Sequence, residues 1–104
     1  MTERLLILIA DDESKIRRLL AAAIENAGYD TASADDGEAA LKVFDSLTPA
    51  PDLVILDIMM PVLDGFEVLD ALRKRSSVPV ILLSARSRTP QTKSVRFSTV
   101  RTIT

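Results

Sequence analysis

Residues 52–65 read DLVILDIMMPVLDG. Leu53-Val54-Ile55-Leu56 is an unbroken run of aliphatic and β-branched residues. A run of that kind reads as a strand buried on both faces, the mark of a parallel sheet. It stops on an acid, Asp57. Met59 and Met60 follow as gap-filling side chains near a core. Pro61 then breaks the chain, and Asp64-Gly65 supplies a turn and a helix cap. Beyond the cap, Phe66, Leu69 and Leu72 fall at helical spacing and are expected to face inward.

The same unit recurs on either side. Leu5 to Ala10 (LLILIA) is a second continuous apolar run, ending on Asp11, Asp12 and Glu13. Ser14 offers an N-cap for a helix carrying Ile16, Leu19, Leu20, Ala23, Ile24 and Ala27, with Gly28 as its stop. Tyr29 to Ala34 reads as a weaker strand. Asp36 can cap a helix with Ala40, Leu41, Phe44 and Leu47 on one face, and Pro49 and Pro51 punctuate the link to the central strand. Pro79 to Leu83 (PVILL) reads as a fourth strand, followed by Ser84. Strand and helix therefore alternate with short links, which predicts an α/β fold with a doubly wound parallel sheet and right-handed crossovers. Ligands of such sheets bind at the carboxyl ends of the strands, where Asp11, Asp12, Asp57 and Ser84 stand.

Bulk properties narrow the chemistry. The 104 residues suffice for one small domain, and 47% hydrophobic with 27% charged residues is a globular composition. There is no Cys and no His, which excludes disulfides, thiolate metal sites and imidazole bases. No run is long enough for a signal-peptide core or a membrane span, so a cytoplasmic location is expected. The net charge of −2 hides an uneven distribution. Residues up to Ala85 carry 8 basic and 15 acidic side chains, whereas those from Arg86 onward carry 5 basic and none acidic.

Three carboxylates at adjacent strand ends would make an oxygen-rich pocket suited to Mg²⁺, a hard cation that favours carboxylates, water and phosphate oxygens. A bound cation would offset the repulsion between a carboxylate nucleophile and a phosphoryl group. Each acid alone is as readily explained as a helix cap. The constellation leaves two chemistries open, a phosphoryl acceptor and a Mg²⁺-dependent phosphatase. No Gly-rich phosphate loop follows the first strand, which argues against a nucleotide-binding module.

LILIADDESKIRRLLAAAIENAGYDTASADDGEAAL (residues 6–41), PDLVILDIMMPVLDGFEVLDALRK (51–74) and VPVILLSAR (78–86) together resemble the receiver domain of response regulators, the CheY-like proteins of two-component phosphorelays. LDIMMPVLDGFEV looks most like the regulators that carry a winged-helix DNA-binding domain, although no such domain is present in these residues. The resemblance implies a flavodoxin-like receiver fold with strand order 2-1-3-4-5. It makes Asp57 the phospho-acceptor and gives Mg²⁺ to Asp11, Asp12, Asp57 and the Met59 backbone carbonyl. Ser84 becomes the switch hydroxyl, Ala85 the small residue that leaves access to the phosphate, and Pro61 and Gly65 the shapers of the loop beside the acceptor. It implies a sensor histidine kinase as phosphoryl donor and pairing of receivers in intact members. The output implied is control of transcription, with no direct nucleic-acid contact by this chain. Activity is limited to transfer onto itself and slow hydrolysis, so the domain is a switch and not an enzyme. A phosphatase relative would want an acid two residues past Asp57, where Met59 stands.

The resemblance covers residues 4–86 and then stops. The family's later helices, fifth strand and the lysine that precedes a proline have no counterpart; Lys93 follows Ser84 too closely, and Phe97 lacks the setting of the family's switch aromatic. The expected division is a receiver, incomplete, over 1–86 and a tail over 87–104 that is frameshifted or disordered. With one extra G before the Ser87 codon, permitted synonymous codons can spell EQDAADKERAVQHGADDY through Thr104. That is a polar amphipathic helix followed by the lead-in to a fifth strand. On this reading the fourth strand would be an unpaired edge, with aggregation favoured and signalling lost. An inert fragment of a regulator is the alternative to a working switch.

Overall fold

A computed structural model of the chain describes residues 4–89 and 92–100, with side chains described through Leu83. Five strands form one sheet in the order β2-β1-β3-β4-β5. These are β1 (Leu6–Ala10), β2 (Asp30–Ala34), β3 (Leu53–Asp57), β4 (Val80–Thr89) and β5 (Thr92–Val100). The first four run parallel, with Ile7–Ala10 of β1 paired to Leu53–Leu56 of β3, and Val54–Asp57 of β3 paired to Val80–Leu83 of β4. The doubly wound sheet expected from the alternation is therefore present. So is the family's order 2-1-3-4.

Helices cover the two faces unequally. On one side α2 (Gly37–Ser46) and α3 (Gly65–Arg73) bury Ala40, Phe44, Val68 and Leu72 against Leu8, Ala10, Val54, Leu56, Val80 and Leu82. On the other, α1 (Ser14–Asn26) alone lies over Ile7, Ile9, Ile55 and Leu83 through Leu20, Ala21 and Ile24. No residue of α1 is fully buried, and Leu19, expected on its inner stripe, is 67% exposed. A single helix cannot enclose a sheet face wide enough for two, so its stripe stays half-wet.

Local signals place most helix ends. Asp36 accepts a hydrogen bond from the Ala39 amide at 2.7 Å. Asp64 and Glu67 form a reciprocal capping box at the start of α3. Gly28 has φ +104°, the left-handed turn that ends the α1 segment. Three expectations are corrected. Ser14 is the first helical residue and Glu13 the N-cap, without a side-chain cap bond. Phe66 is 54% exposed, because the stripe of α3 turns Val68 and Leu72 inward instead. Of the two methionines, Met60 is buried but Met59 is 71% exposed on the loop after β3.

The tail gives the largest correction. Residues 87–104 were expected to be a frameshifted or disordered tail that leaves β4 as an unpaired edge, and it is the open edge that is corrected. Instead β4 continues to Thr89, and β5 returns antiparallel along it, pairing Val80 with Val100 and Leu83 with Phe97. Thr, Ser, Val and Phe are residues that favour strands, and the open side of β4 offers unpaired backbone groups to them. β5 runs antiparallel, unlike the parallel fifth strand that the resemblance implies. Residues 90, 91 and 101–104 of the tail lie outside the described residues.

Candidate functional site

The acids gather where the strand ends converge. β1 delivers Asp11 and Asp12, and β3, its hydrogen-bonded neighbour, delivers Asp57. One carboxylate oxygen from each lies within 4.8 Å of the others. Asp11 is 1% exposed and Asp57 2%, while Asp12 is open to solvent. The pocket is thus a pair of sunken carboxylates with a third at the rim.

The two sunken carboxylates are held by the same local device. Asp57 Oδ1 accepts the Met59 amide at 3.1 Å, and Asp11 Oδ1 accepts the Glu13 amide at 2.8 Å. Each is an Asx-type turn, in which an Asp bonds the backbone two residues on. It satisfies a buried acceptor and bends the chain out of the strand in one stroke.

Electrostatics resist full ionisation. The Asp57 carboxyl is pushed up from 3.8 to about 7, chiefly by burial, then by the charge of Asp11 and less by Asp12, with the Met59 amide pulling the other way. Burial disfavours a charge and like charges disfavour each other, so both causes act in one direction. A cation bound among the three acids would reverse that balance. The donor set is all oxygen, as a hard divalent ion prefers.

The floor of the site depends on glycine. A Cβ at Gly65 would stand 2.7 Å from the Asp57 carbonyl oxygen and 2.9 Å from Ile58 Cα, both backbone atoms. The Gly65 amide donates to the Ile58 carbonyl at 2.9 Å. Only a residue without a side chain lets α3 start this close to the end of β3. Gly37, at the start of α2, is similarly pressed against the backbone and side chain of Leu63 in the same loop. Between them Val62 takes φ +73°, a left-handed conformation costly for a β-branched residue.

Of the residues singled out from the sequence, Asp11, Asp12 and Asp57 are brought together. Ser84 lies in β4 directly after Leu83, whose backbone pairs with Asp57. The side chains of Ser84 and Ala85 lie outside the described residues. Asp64 is a cap, as its turn sequence suggested. Two residues were missed. Arg17 donates from Nη1 to the Asp11 carbonyl at 2.7 Å, and Gly37 buttresses the loop. Neither has a sequence signal of its own: an arginine on a helix reads as surface charge, and Gly37 reads as part of a turn.

A parallel sheet with carboxylates at the ends of its first and third strands defines the receiver class of domain. The family model for the response regulator receiver domain matches residues 7–99, and the chain belongs to that family. It is 52% identical over 81 residues to a probable transcriptional regulator ycf27 of Porphyridium aerugineum, covering 78% of this chain and 33% of that protein. It is 46% identical over 81 residues to PhoP of Bacillus subtilis, a regulator of alkaline phosphatase synthesis, covering 77% of this chain and 33% of that one. The chain thus spans about a third of the length of these relatives. Among solved structures, the receiver domain of the Francisella response regulator 1452 superposes with a TM-score of 0.74 at 38% identity, over 85% of this chain and 72% of that one. The chemotaxis protein CheY4 of Vibrio cholerae superposes with a TM-score of 0.75 at 30% identity, over 86% and 74%. The sequence relatives are transcriptional regulators, and the receiver family is in general not one of enzymes. Among the described residues, no helix is long and apolar enough to cross a membrane.

Proposed function

We propose that this chain accepts a phosphoryl group on Asp57 from a sensor histidine kinase, with Mg²⁺ held by Asp11, Asp12, Asp57 and the Met59 carbonyl. The observation that carries the reading is the convergence of three carboxylate oxygens within 4.8 Å at one end of a parallel sheet. When bound, the metal would neutralise charge on the acids and on the transferring group. An Asp57 oxygen attacks phosphorus as the bond from phosphorus to the kinase imidazole breaks, and the electron pair leaves on that nitrogen. Attack needs an ionised carboxylate; the Asx turn to Met59 engages Oδ1, so the oxygen that attacks would be Oδ2. Ser84 would then hydrogen-bond a phosphoryl oxygen, and the output is control of transcription through a segment beyond this chain. A cytoplasmic setting follows from that chemistry.

A second reading is an inert fragment of such a regulator. What favours it is β5, an antiparallel strand where the family's parallel one should lie, with no lysine assignable to the phosphate. In this reading the receiver ends near residue 86 and residues 87–104 come from a shifted frame. Incubation of the full chain with acetyl phosphate separates the two. The proposal expects stoichiometric labelling that needs Mg²⁺ and disappears in Asp57→Asn; absence of labelling in a folded chain favours the fragment. The coding DNA decides the tail. If the codons for residues 99–104 do not spell GADDY in the shifted frame, the frameshift is excluded.

A further inference from the structure

We infer that Arg17 is a positioning residue for the metal-binding carboxylates, acting through the backbone of Asp11; the inference rests on the Mg²⁺ site proposed above. Asp11 is the hinge between β1 and α1, and its backbone is gripped from two sides. Its amide donates to the Ala34 carbonyl at 3.2 Å, which extends the β1–β2 ladder by one step. Its carbonyl accepts Arg17 Nη1 at 2.7 Å. The Arg17 amide in turn donates to the Glu13 carbonyl at 2.9 Å, and the Glu13 amide donates to Asp11 Oδ1 at 2.8 Å.

These bonds close a loop of seven residues, Asp11 to Arg17, into which Asp12 is locked. Arg17 holds it at two points, with its main chain in the first turn of α1 and its guanidinium on the end of β1. A buried carbonyl bonded to a charged donor is among the stronger single contacts of a fold, and truncating the donor forfeits it. The guanidinium also faces a cavity of about 400 Å³ lined by Ser33, Ala34, Asp35, Ala39 and Val43. Truncating Arg17 would remove both the charged donor at the Asp11 carbonyl and the side chain that lines this depression. The two acids would then lose their fixed spacing to Asp57, and a small ion that demands near-octahedral geometry would feel it.

Mg²⁺ affinity of the full chain, by calorimetric titration, tests this in Arg17→Ala, Arg17→Gln and Arg17→Lys. Groups that orient metal ligands are worth 10–100-fold in affinity. The expected result is a loss of about tenfold in the Ala and Gln variants. Lys, which still presents one charged donor, should stay within about threefold of the parent, on the same scale. Melting without metal identifies any general loss of stability. Arg75→Ala, which breaks an ion pair to Asp45 between α2 and the end of α3, is the control for destabilisation away from the site and should bind as the parent does. Parent-like affinity in the Ala and Gln variants would overturn the inference alone. Failure of the parent chain to bind Mg²⁺ would overturn the metal site and the inference with it. An Ala variant that does not fold leaves the Gln and Lys pair to decide.

Discussion

Replacing Asp57 by Asn should stabilise the metal-free protein, and by more the higher the pH. In the folded chain the carboxyl is raised from 3.8 to about 7 by burial and by Asp11. Between those two values the unfolded chain has released the proton and the native chain still holds it. The unfolded state then binds fewer protons, so stability falls as pH rises through this window. A shift of one pKa unit corresponds to about 1.4 kcal/mol, so the full window is worth about 4 kcal/mol. Between pH 5 and pH 8 the same relation gives a loss of roughly 2–3 kcal/mol for the parent. Asn escapes it, since it has no charge to desolvate and its amide oxygen can still accept the Met59 amide. For a domain of this size that is a difference in melting temperature of roughly 10 °C opening between pH 5 and pH 8. The assay is thermal or urea unfolding of both proteins in chelator across that range. Saturating Mg²⁺ should then narrow the gap, because it stabilises the parent by binding its native state. A difference between the two proteins that stays flat from pH 5 to pH 8 would refute the reasoning.

Two further outcomes follow from the loop that carries Asp57. Gly65→Ala should destabilise the fold by about 1–3 kcal/mol, because the added methyl meets backbone and not a yielding side chain; a urea midpoint unchanged from the parent would contradict the close approach. Asp64→Ala removes the acceptor for the Glu67 amide and should cost about 1 kcal/mol, with early amide exchange in the first turn of α3; unaltered exchange at Glu67 would show that the cap is not what holds that turn.

The sheet was legible because its strands are unambiguous. Leu53–Leu56 and Leu6–Ala10 have no polar position to suggest an exposed face, and parallel order follows from the helices between them. Asp36 and Asp64 were readable as caps because an acid before a helix has few other uses. The errors share a cause. Helical spacing shows which residues lie together on α1, but Leu19 is exposed because no second helix lies beside α1 among the described residues, and spacing carries no news of neighbours. Phe66 fails in the same way on α3. The tail had β-forming residues in plain view, yet whether Thr92–Val100 pairs at all depends on β4 having a free side. Val62 in a left-handed conformation was beyond reach, since valine is among the residues least expected there. Asp11, Asp12 and Asp57 could be named from their places at strand ends. Arg17 could not, because its partner is a backbone carbonyl, identical at every residue.

The contact at Gly37 has a consequence for genetics. This residue bears no functional group and stands 20 positions from Asp57 in the chain, yet it touches Leu63 in the acceptor loop. The start of α2 and the turn after β3 are in effect one mechanical part. Alleles at Gly37 should therefore lower stability and expression, because any added Cβ meets the Leu63 carbonyl oxygen and the core side chain of Val68.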